Sequence, residues 1–382
     1  MKTKSNTRGK NILLYADSES DANVFYATGF FCPDPFIFIR TANGKRIYVM
    51  SDLEIDRARK QSNAHRVLSM AKYTHLAKDR FGRVPDPADV MFVVLRELKV
   101  RGVTVPGDFP VAVADRLREH GVKVAVVRDM FFTERLYKSE SEVEAIRLTM
   151  KAAETGLRAA IDILRKSSIR NGWVYYRNKR LTAEHLREVV NGTIFDLGCV
   201  PAHTIVAPGK YGCDPHDPGQ GPIRAHSPLI FDIFPRSERT GYYGDITRTV
   251  VKGKAPAEVL SMYRAVKAGQ ALGLKMLRHG AKARLIHKAI LDLFEDRGFE
   301  TGSIRGRMQG FFHGTGHGLG LDIHEPPRIA INDVVLENRM VVTVEPGLYY
   351  WPVGGMRIED TVLVTRNGCK NLTRFSKALA IK

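Results

Sequence analysis

The feature of this sequence that most limits how it can fold is the placement of four carboxylates inside runs of apolar, strand-forming residues. They are Asp232, Asp245, Glu345 and Glu359. One carboxylate in a strand usually lies at a sheet edge or pairs with an arginine. Burying several without neutralisation is costly, and their mutual repulsion raises their pKa values. If the fold brings the four together, they therefore need a shared positive partner.

A histidine-rich, glycine-rich segment lies between these carboxylates in the chain. It contains His313, His317 and His324 within an extended stretch that ends at Glu325. A lone histidine beside glycines is more often structural than a ligand, but one imidazole with four carboxylates forms a plausible ligand set. Four negative charges balance two divalent metal ions, which can share a bridging hydroxide. Oxygen-rich ligation with one imidazole suits Mn, Co, Fe or Zn, so the sequence predicts a dinuclear metal site.

The length of 382 residues predicts two domains, and we place them at residues 1–135 and 136–382. The first domain shows the pattern of a small α/β unit and does not concentrate chemically reactive side chains. An Asn-Gly turn at Asn43 separates two of its apolar runs. We predict strands at 36–39, 46–49 and 122–127, and a helix near 88–101.

The second domain begins with a long amphipathic helix. Ser139 and Glu142 have the spacing of a capping box, and the apolar residues that follow recur at steps of three and four. Two further helices, at 257–278 and 283–297, are each followed or ended by a glycine. The remaining apolar runs favour an α+β domain, and this domain holds the polar chemistry.

Charge and cysteine content restrict the cellular setting. The 59 Lys and Arg against 41 Asp and Glu give a net charge of +18, which favours anionic partners but says nothing about the fold. The four cysteines form no C-x-x-C pair, as expected in a reducing compartment. The N-terminal sequence lacks the apolar core of a signal peptide, and no apolar run is long enough to span a membrane. We therefore expect a cytoplasmic protein without a membrane partner.

The segment from His313 to Glu325 resembles the signature of prolidases and Xaa-Pro aminopeptidases, the proline-specific branch of the methionine-aminopeptidase-like metallopeptidases (family M24). The flanking Gly-Asp-Ile-Thr-Arg-Thr, Val-Glu-Pro-Gly-Leu-Tyr and Arg-Ile-Glu-Asp motifs also resemble this family. The resemblance implies an α/β creatinase-like N-terminal domain and an α+β pita-bread catalytic domain. It further implies a two-metal centre whose ligands, in chain order, are Asp232, Asp245, His317, Glu345 and Glu359.

The same resemblance implies three catalytic residues. His216 resembles the family histidine that lines the substrate pocket and helps to orient the scissile peptide. His324 resembles the histidine that stabilises the tetrahedral intermediate. Glu345 matches a residue that relays a proton in addition to binding metal.

Four further residues are implied to lie in the substrate-binding region. His313, Tyr349 and Arg357 match residues that orient the metal ligands and metal-bound groups. Arg328 matches an arginine of prolidase-like members that meets the free carboxylate of a dipeptide.

The predicted function is hydrolysis of the N-terminal Xaa-Pro bond of dipeptides or short peptides by attack of a metal-bridging hydroxide. The expected partners are a small proline-containing peptide and a second copy of the chain in a homodimer. One alternative is a metal-independent pita-bread protein that binds nucleic acid or a protein, which the high basic charge suits. Because all five ligand positions are present, we do not expect that role or a nucleic-acid partner. The other alternative is a methionine-aminopeptidase-like enzyme.

Overall fold

The structure, a computed structural model, describes residues 6–381 of the chain. Its contacts divide the chain into two compact units, Met1–Arg135 and Leu136–Lys382. Each unit has a hydrophobic core of its own, as expected for chain segments longer than about 100 residues.

The first unit is a six-stranded sheet of order β4-β3-β2-β1-β5-β6. Its strands are β1 (Ile12–Ala16), β2 (Phe36–Arg40), β3 (Arg46–Met50), β4 (Arg66–Ser69), β5 (Gly102–Pro106) and β6 (Lys123–Val127). Its helices are α1 (Ala22–Thr28), α2 (Ile55–Gln61), α3 (Met70–Phe81), α4 (Pro87–Glu97) and α5 (Val111–Glu119).

Alternation along the strands gives this sheet two buried faces. On β2, Phe36 belongs to one core cluster and Ile37 to the other, because successive side chains point to opposite faces. The predicted hairpin is confirmed by the antiparallel pairing of β2 with β3. The predicted helix near 88–101 ends earlier, at Glu97, since the chain leaves the helical region at Lys99, where φ is 58°.

The second unit contains four helices and a larger set of strands within the described residues. The helices are α6 (Glu140–Lys166), α7 (Ala183–Phe195), α8 (Ala257–Met276) and α9 (Ala283–Glu295). The strands are β7 (Ser168–Arg170), β8 (Trp173–Tyr176), β9 (Lys179–Arg180), β10 (Cys199–Val200), β11 (Ile205–Pro208), β12 (Pro228–Ile233), β13 (Arg236–Ser237), β14 (Ile246–Lys252), β15 (Gly302–Ile304), β16 (Arg307–Gln309), β17 (Gly316–Gly318), β18 (Glu325–Ile329), β19 (Val341–Val344), β20 (Gly347–Tyr350), β21 (Gly354–Arg357), β22 (Asp360–Val364), β23 (Cys369–Asn371) and β24 (Ala380–Ile381).

Two sheets form the framework of this unit. One has the order β11-β12-β14-β24 and the other the order β18-β17-β19-β22-β23. Helices α6 and α7 pack on each other and on the first sheet, and α8 and α9 pack on each other and on the second. The polar segments singled out in the sequence lie on or directly beside the strands of these two sheets.

The start of α6 confirms the predicted capping box. The Ser139 hydroxyl accepts a hydrogen bond from the backbone N–H of Glu142, whose carboxylate accepts one from the N–H of Ser139. Ile146, Met150 and Leu157 of the predicted apolar stripe are buried in the main core. The stripe thus fixes α6 against the first sheet, as the periodicity predicted.

Candidate metal centre

The first sheet brings two aspartates together through a hairpin. Strands β12 and β14 pair antiparallel, with Asp232 opposite Thr247 and Ile233 opposite Ile246. Asp245 directly precedes β14, so the hairpin places both carboxylates at the same end of the strand pair.

The second sheet positions His317 on β17, between two strands that approach its backbone closely. A Cβ on Gly316 would lie 1.9 Å from the carbonyl oxygen of Thr343, and a Cβ on Gly318 would lie 2.3 Å from that of Pro326. No larger residue fits at either site without moving a strand. The glycines around His317 therefore let neighbouring strands hold this histidine in place.

The two glutamates lie at the ends of neighbouring strands and are anchored through their backbones. Glu345 comes directly after β19, and its N–H donates to the carbonyl of Thr315 at 2.7 Å. The N–H of Glu359, just before β22, donates to the carbonyl of Thr247 at 3.1 Å. The Thr247 hydroxyl also donates to Glu359 Oε2 at 2.8 Å, so Glu359 is tied to the strand that follows Asp245.

These side chains converge on one point. The potential ligand atoms of Asp245, His317 and Glu359 all lie within 4.8 Å of one another. His317 Nε2 is 3.6 Å from Asp245 Oδ2 and 3.4 Å from Glu345 Oε1. Asp232 Oδ2 accepts a hydrogen bond of 2.6 Å from Arg357 Nη2. The four carboxylates and the His317 imidazole thus line a single cavity.

The cluster is short of positive charge. Asp245 Oδ1 and Glu359 Oε1 are buried and have no hydrogen-bond partner among residues 6–381. Burial, followed by the charges of the neighbouring carboxylates, raises the pKa values of Asp245 and Glu359 well above their usual range. Burial is also the main cause that raises the pKa of Glu345 to about 7. Such a donor set fits divalent ions that accept oxygen ligands together with one imidazole.

His317 is held in the form that a metal requires. Its Nδ1 lies 3.1 Å from the carbonyl oxygen of Gly318, so Nδ1 carries the hydrogen and Nε2 presents a lone pair to the carboxylates. Burial, and then the nearby His324, lowers the pKa of His317 to about 3. A neutral imidazole with a fixed orientation is the usual state of a metal-binding histidine.

A second buried network supports Asp232. Arg357 donates to the Tyr349 hydroxyl at 2.8 Å, and this hydroxyl lies 2.9 Å from His313 Nε2. His313 Nδ1 in turn lies 2.8 Å from the Gly314 carbonyl. Burial, and then the charge of Arg357, lowers the pKa of His313 to about 3. The network fixes the guanidinium that contacts Asp232.

The cavity around the cluster has a volume of about 620 Å³. All but one of the site residues predicted from the sequence line it; these are His216, Asp232, Asp245, His313, His317, His324, Arg328, Glu345, Arg357 and Glu359. Tyr349 does not line the cavity, but its hydroxyl contacts His313 Nε2 and Arg357 Nη1, whose side chains do. His216, His324 and Arg328 are exposed, so they are available to a ligand in the cavity.

Sequence reasoning missed several residues that complete this site. Thr247 binds Glu359, and its position two residues after Asp245 on the same strand face is a signal that could have found it. The apolar wall residues Phe234, Phe312 and Ile323 also line the cavity. The buried ion pair of Lys138 with Glu325 lies outside the cavity, and nothing in the local sequence pattern links two residues so far apart.

The cavity gathers four carboxylates and the neutral His317 imidazole, a donor set that suits divalent metal ions. The chain belongs to metallopeptidase family M24, whose family model matches residues 144–366. The protein is therefore a peptidase, and the matched segment includes every member of the predicted ligand set.

Among its relatives is a Xaa-Pro dipeptidase of Pyrococcus horikoshii, 26% identical over 98% of this chain and 99% of that protein. A Xaa-Pro dipeptidase of Pyrococcus furiosus is 30% identical over 66% of each chain. These similarities confirm the expected resemblance to the Xaa-Pro peptidase branch of the family.

The fold is shared with solved structures of the same branch. The X-Pro aminopeptidase from Thermotoga maritima aligns over 97% of both chains with a TM-score of 0.80 and 22% identity. The prolidase from Pyrococcus furiosus aligns over 96% of this chain and 97% of its own, with a TM-score of 0.76 and 24% identity. The predicted fold class, with an α/β unit followed by an α+β pita-bread unit, is confirmed.

Proposed function

We propose that this protein is a metal-dependent peptidase that hydrolyses the bond between an N-terminal residue and proline. The observation that carries the proposal is the convergence of four carboxylates and His317 in one cavity, with two buried carboxylate oxygens that lack a partner within the described chain. The substrate class is supported by relatives that are named Xaa-Pro dipeptidases.

The proposed cofactor is a pair of divalent ions, with manganese as the first candidate and cobalt, zinc and iron as alternatives. The residues that would hold them are Asp232, Asp245, His317, Glu345 and Glu359. The charge of two such ions equals that of the four carboxylates, and their oxygens are the ligands that these metals accept. When bound, the ions would polarise the scissile carbonyl and make a water molecule acidic enough to attack it at neutral pH.

Two residues of the chain are proposed to act on the reacting groups. His324 is exposed to the cavity, where its ring N–H can donate to the carbonyl oxygen as that oxygen gains negative charge. Glu345 lies 3.4 Å from His317 and also borders the cavity. It can take a proton from the attacking water and pass it to the departing proline nitrogen.

The cavity also offers groups that select the substrate. The Arg328 guanidinium lies in the cavity and has no carboxylate partner among the described residues, so it can bind the free carboxylate of a dipeptide. His216 can orient the peptide from another wall. A proline amide has no N–H, and the apolar side chains of Phe312 and Ile323 suit its ring. These groups support dipeptides as the preferred substrates.

The test compares hydrolysis of a Xaa-Pro dipeptide with that of a Xaa-Pro-Yaa tripeptide. Metal-stripped protein is assayed alone and after addition of manganese or cobalt, with Glu345→Ala as the inactive control. Metal-dependent cleavage that the variant lacks is the expected result. If metal-loaded protein cleaves neither peptide, the proposal is wrong.

Arg328→Gln separates the two kinds of substrate. Loss of the charge-assisted hydrogen bond should raise KM for the dipeptide about tenfold or more, since such bonds contribute about 1.5–3 kcal/mol. The tripeptide carries its carboxylate one residue further away, so its KM should change little. An equal rise in KM for both peptides would show that Arg328 does not bind the carboxylate of the dipeptide.

We further propose that the protein acts as a homodimer in the cytoplasm and that residues 1–135 form a separate creatinase-like domain. The described part of the chain contains no helix long and apolar enough to cross a membrane. All four cysteines are free thiols, which supports a reducing compartment. Light scattering of the purified protein tests the dimer, and limited proteolysis near Arg135 tests the domain boundary.

A further inference from the structure

A small three-stranded sheet lies apart from the proposed active site. Strands β7, β8 and β9 pair antiparallel in sequence order. Two-residue turns connect them, at Asn171-Gly172 and at Arg177-Asn178, and all four of these residues have positive φ angles between 48° and 77°. That conformation matches the twist of adjoining strands, so the sheet is a tightly specified element.

The two faces of this sheet differ in character. Val174 points inward, where it is fully buried in the main core. Side chains alternate along a strand, so Trp173 and Tyr175, on either side of Val174, point outward. Residues that pair directly on neighbouring strands share a face. Arg170 and Arg224, which pair with Trp173, and Arg180, which pairs with Tyr175, therefore also point outward. We call these five residues the basic sheet face.

No carboxylate balances the arginines of the basic sheet face. Between Ile163 and Ala183 the sequence has no acidic residue. Arg170, Arg180 and Arg224 are exposed, and none has an ion-pair partner in the described part of the chain. On α6, by contrast, the half-buried Arg147 pairs with Glu144 one turn away. The positive charge of this face is therefore not paired locally, whereas the arginine on α6 is.

Aromatic rings hold these guanidinium groups in place. Arg224 lies 4.3 Å and Arg180 5.0 Å from the centre of the Trp173 ring, and Arg170 lies 5.4 Å from that of Tyr175. Arg180 Nε also donates to the Tyr175 hydroxyl at 3.3 Å. Arginines held over aromatic rings lose less side-chain freedom when they bind an anion.

Contrary to the expectation from the sequence, we propose that the basic sheet face binds a single-stranded polynucleotide, with arginines contacting phosphates and the rings or guanidinium planes stacking on bases. Arginine is suited to phosphate. Trp173 and Tyr175 stand two residues apart on β8, about 6.8 Å along the strand, and each has an arginine of a flanking strand beside it. Sheet faces with exposed aromatic residues bind unstacked bases in single-strand-binding modules. Anionic lipid would attract the same arginines but offers no bases on which the rings can stack, so the experiment includes vesicles as the competing outcome.

The experiment measures fluorescence anisotropy of a labelled single-stranded oligonucleotide of about 16 nucleotides. The full chain is titrated at salt concentrations from about 50 to about 200 mM. The same measurement uses a duplex of equal length and vesicles that contain phosphatidylserine. We expect binding to the single strand that weakens with salt, with weaker binding to the duplex and to the vesicles.

Variants assign the binding to the face. Arg180→Gln should reduce the slope of log K against log salt by about 0.7, the share of one phosphate contact on a single strand. Trp173→Leu should weaken binding about tenfold, as expected for one lost stacking contact. Arg147→Gln is the matched control and should leave both quantities unchanged, because this guanidinium lies on α6 and is already paired.

Three results would overturn the proposal. The first is an equal change in the salt slope for Arg180→Gln and Arg147→Gln. The second is binding of the duplex or the vesicles as tightly as the single strand. The third is no binding of the single strand at the lowest salt. If Trp173→Leu unfolds the protein, the oligonucleotide affinity of Arg170→Gln is measured in its place, since this exposed side chain lies outside the core. Xaa-Pro cleavage should be the same in all these variants, so the result is independent of the proposed peptidase activity.

Discussion

Glu359→Gln should make the metal-free protein more stable while removing its ability to respond to metal. Glu359 Oε1 and Asp245 Oδ1 are both buried without a hydrogen-bond partner in the described chain, and the two groups lie within 4.8 Å of each other. A glutamine keeps an oxygen that can accept from Thr247 and adds an amide N–H that can donate to Asp245. It also removes the cost of keeping the Glu359 carboxyl protonated beside the other carboxylates.

The size of the effect follows from these contacts. Satisfying one buried polar group contributes about 1–3 kcal/mol, which corresponds to a rise in Tm of about 2–12 °C for a domain of about 250 residues. Metal should stabilise the wild-type protein by about 2.7 kcal/mol at one hundred times its Kd. The variant should show little of that gain because one ligand is neutralised.

The pH dependence has a definite sign. Burial raises the pKa of Glu359, so the folded metal-free protein keeps this proton at pH values where the unfolded chain has lost it. The wild-type stability therefore falls as pH rises from the ordinary carboxyl pKa toward the raised one. The advantage of Glu359→Gln should grow over the same interval and shrink in acid.

The measurement is thermal unfolding of stripped and metal-loaded protein between about pH 5 and pH 8. Glu188→Gln is the control, because Glu188 is a largely exposed carboxylate on α7 with a side-chain exposure of 77%. The reasoning is refuted if stripped Glu359→Gln is no more stable than the wild type. It is equally refuted if metal stabilises the variant as much as the wild type.

Two further perturbations test the support of the site. Gly316→Ala would place a Cβ 1.9 Å from the Thr343 carbonyl oxygen. It should lower the free energy of unfolding by about 1–3 kcal/mol and weaken metal binding. Gly192→Ala, in open space on α7, should instead raise the free energy of unfolding by about 0.5–1 kcal/mol. Equal stabilities of the two variants in thermal unfolding would contradict this. Tyr349→Phe removes the hydroxyl between His313 and Arg357 and should lower kcat/KM or metal affinity about 10–100-fold. Unchanged kinetics and metal titration would show that this hydroxyl does not matter.

Local patterns in the sequence predicted the elements that carry the site. The Ser139–Glu142 capping box set the start of α6 within a residue. The Asn-Gly turn at Asn43, between two alternating apolar runs, indicated the β2–β3 hairpin that the structure contains. These predictions succeeded because capping and strand alternation depend on neighbours in the chain.

Features that depend on distant residues were not predicted. The order of the six strands in the first unit requires long-range pairing, such as β1 beside β5, which no local pattern specifies. The ion pair of Arg357 with Asp232 joins residues 125 positions apart. The β7–β9 sheet was overlooked although Asn171-Gly172 is a hairpin-turn signal that could have found it.

The glycines beside His317 have a consequence for engineering and evolution. The positions that side chains would occupy at Gly316 and Gly318 are already filled by the backbone carbonyls of neighbouring strands. Substitutions on that side of the cavity would therefore disturb the neighbouring strands, and variation in substrate preference must come from residues on the other walls. A library that randomises Phe234, Phe312 and Ile323 and leaves β17 untouched should yield folded enzymes with altered substrate preference.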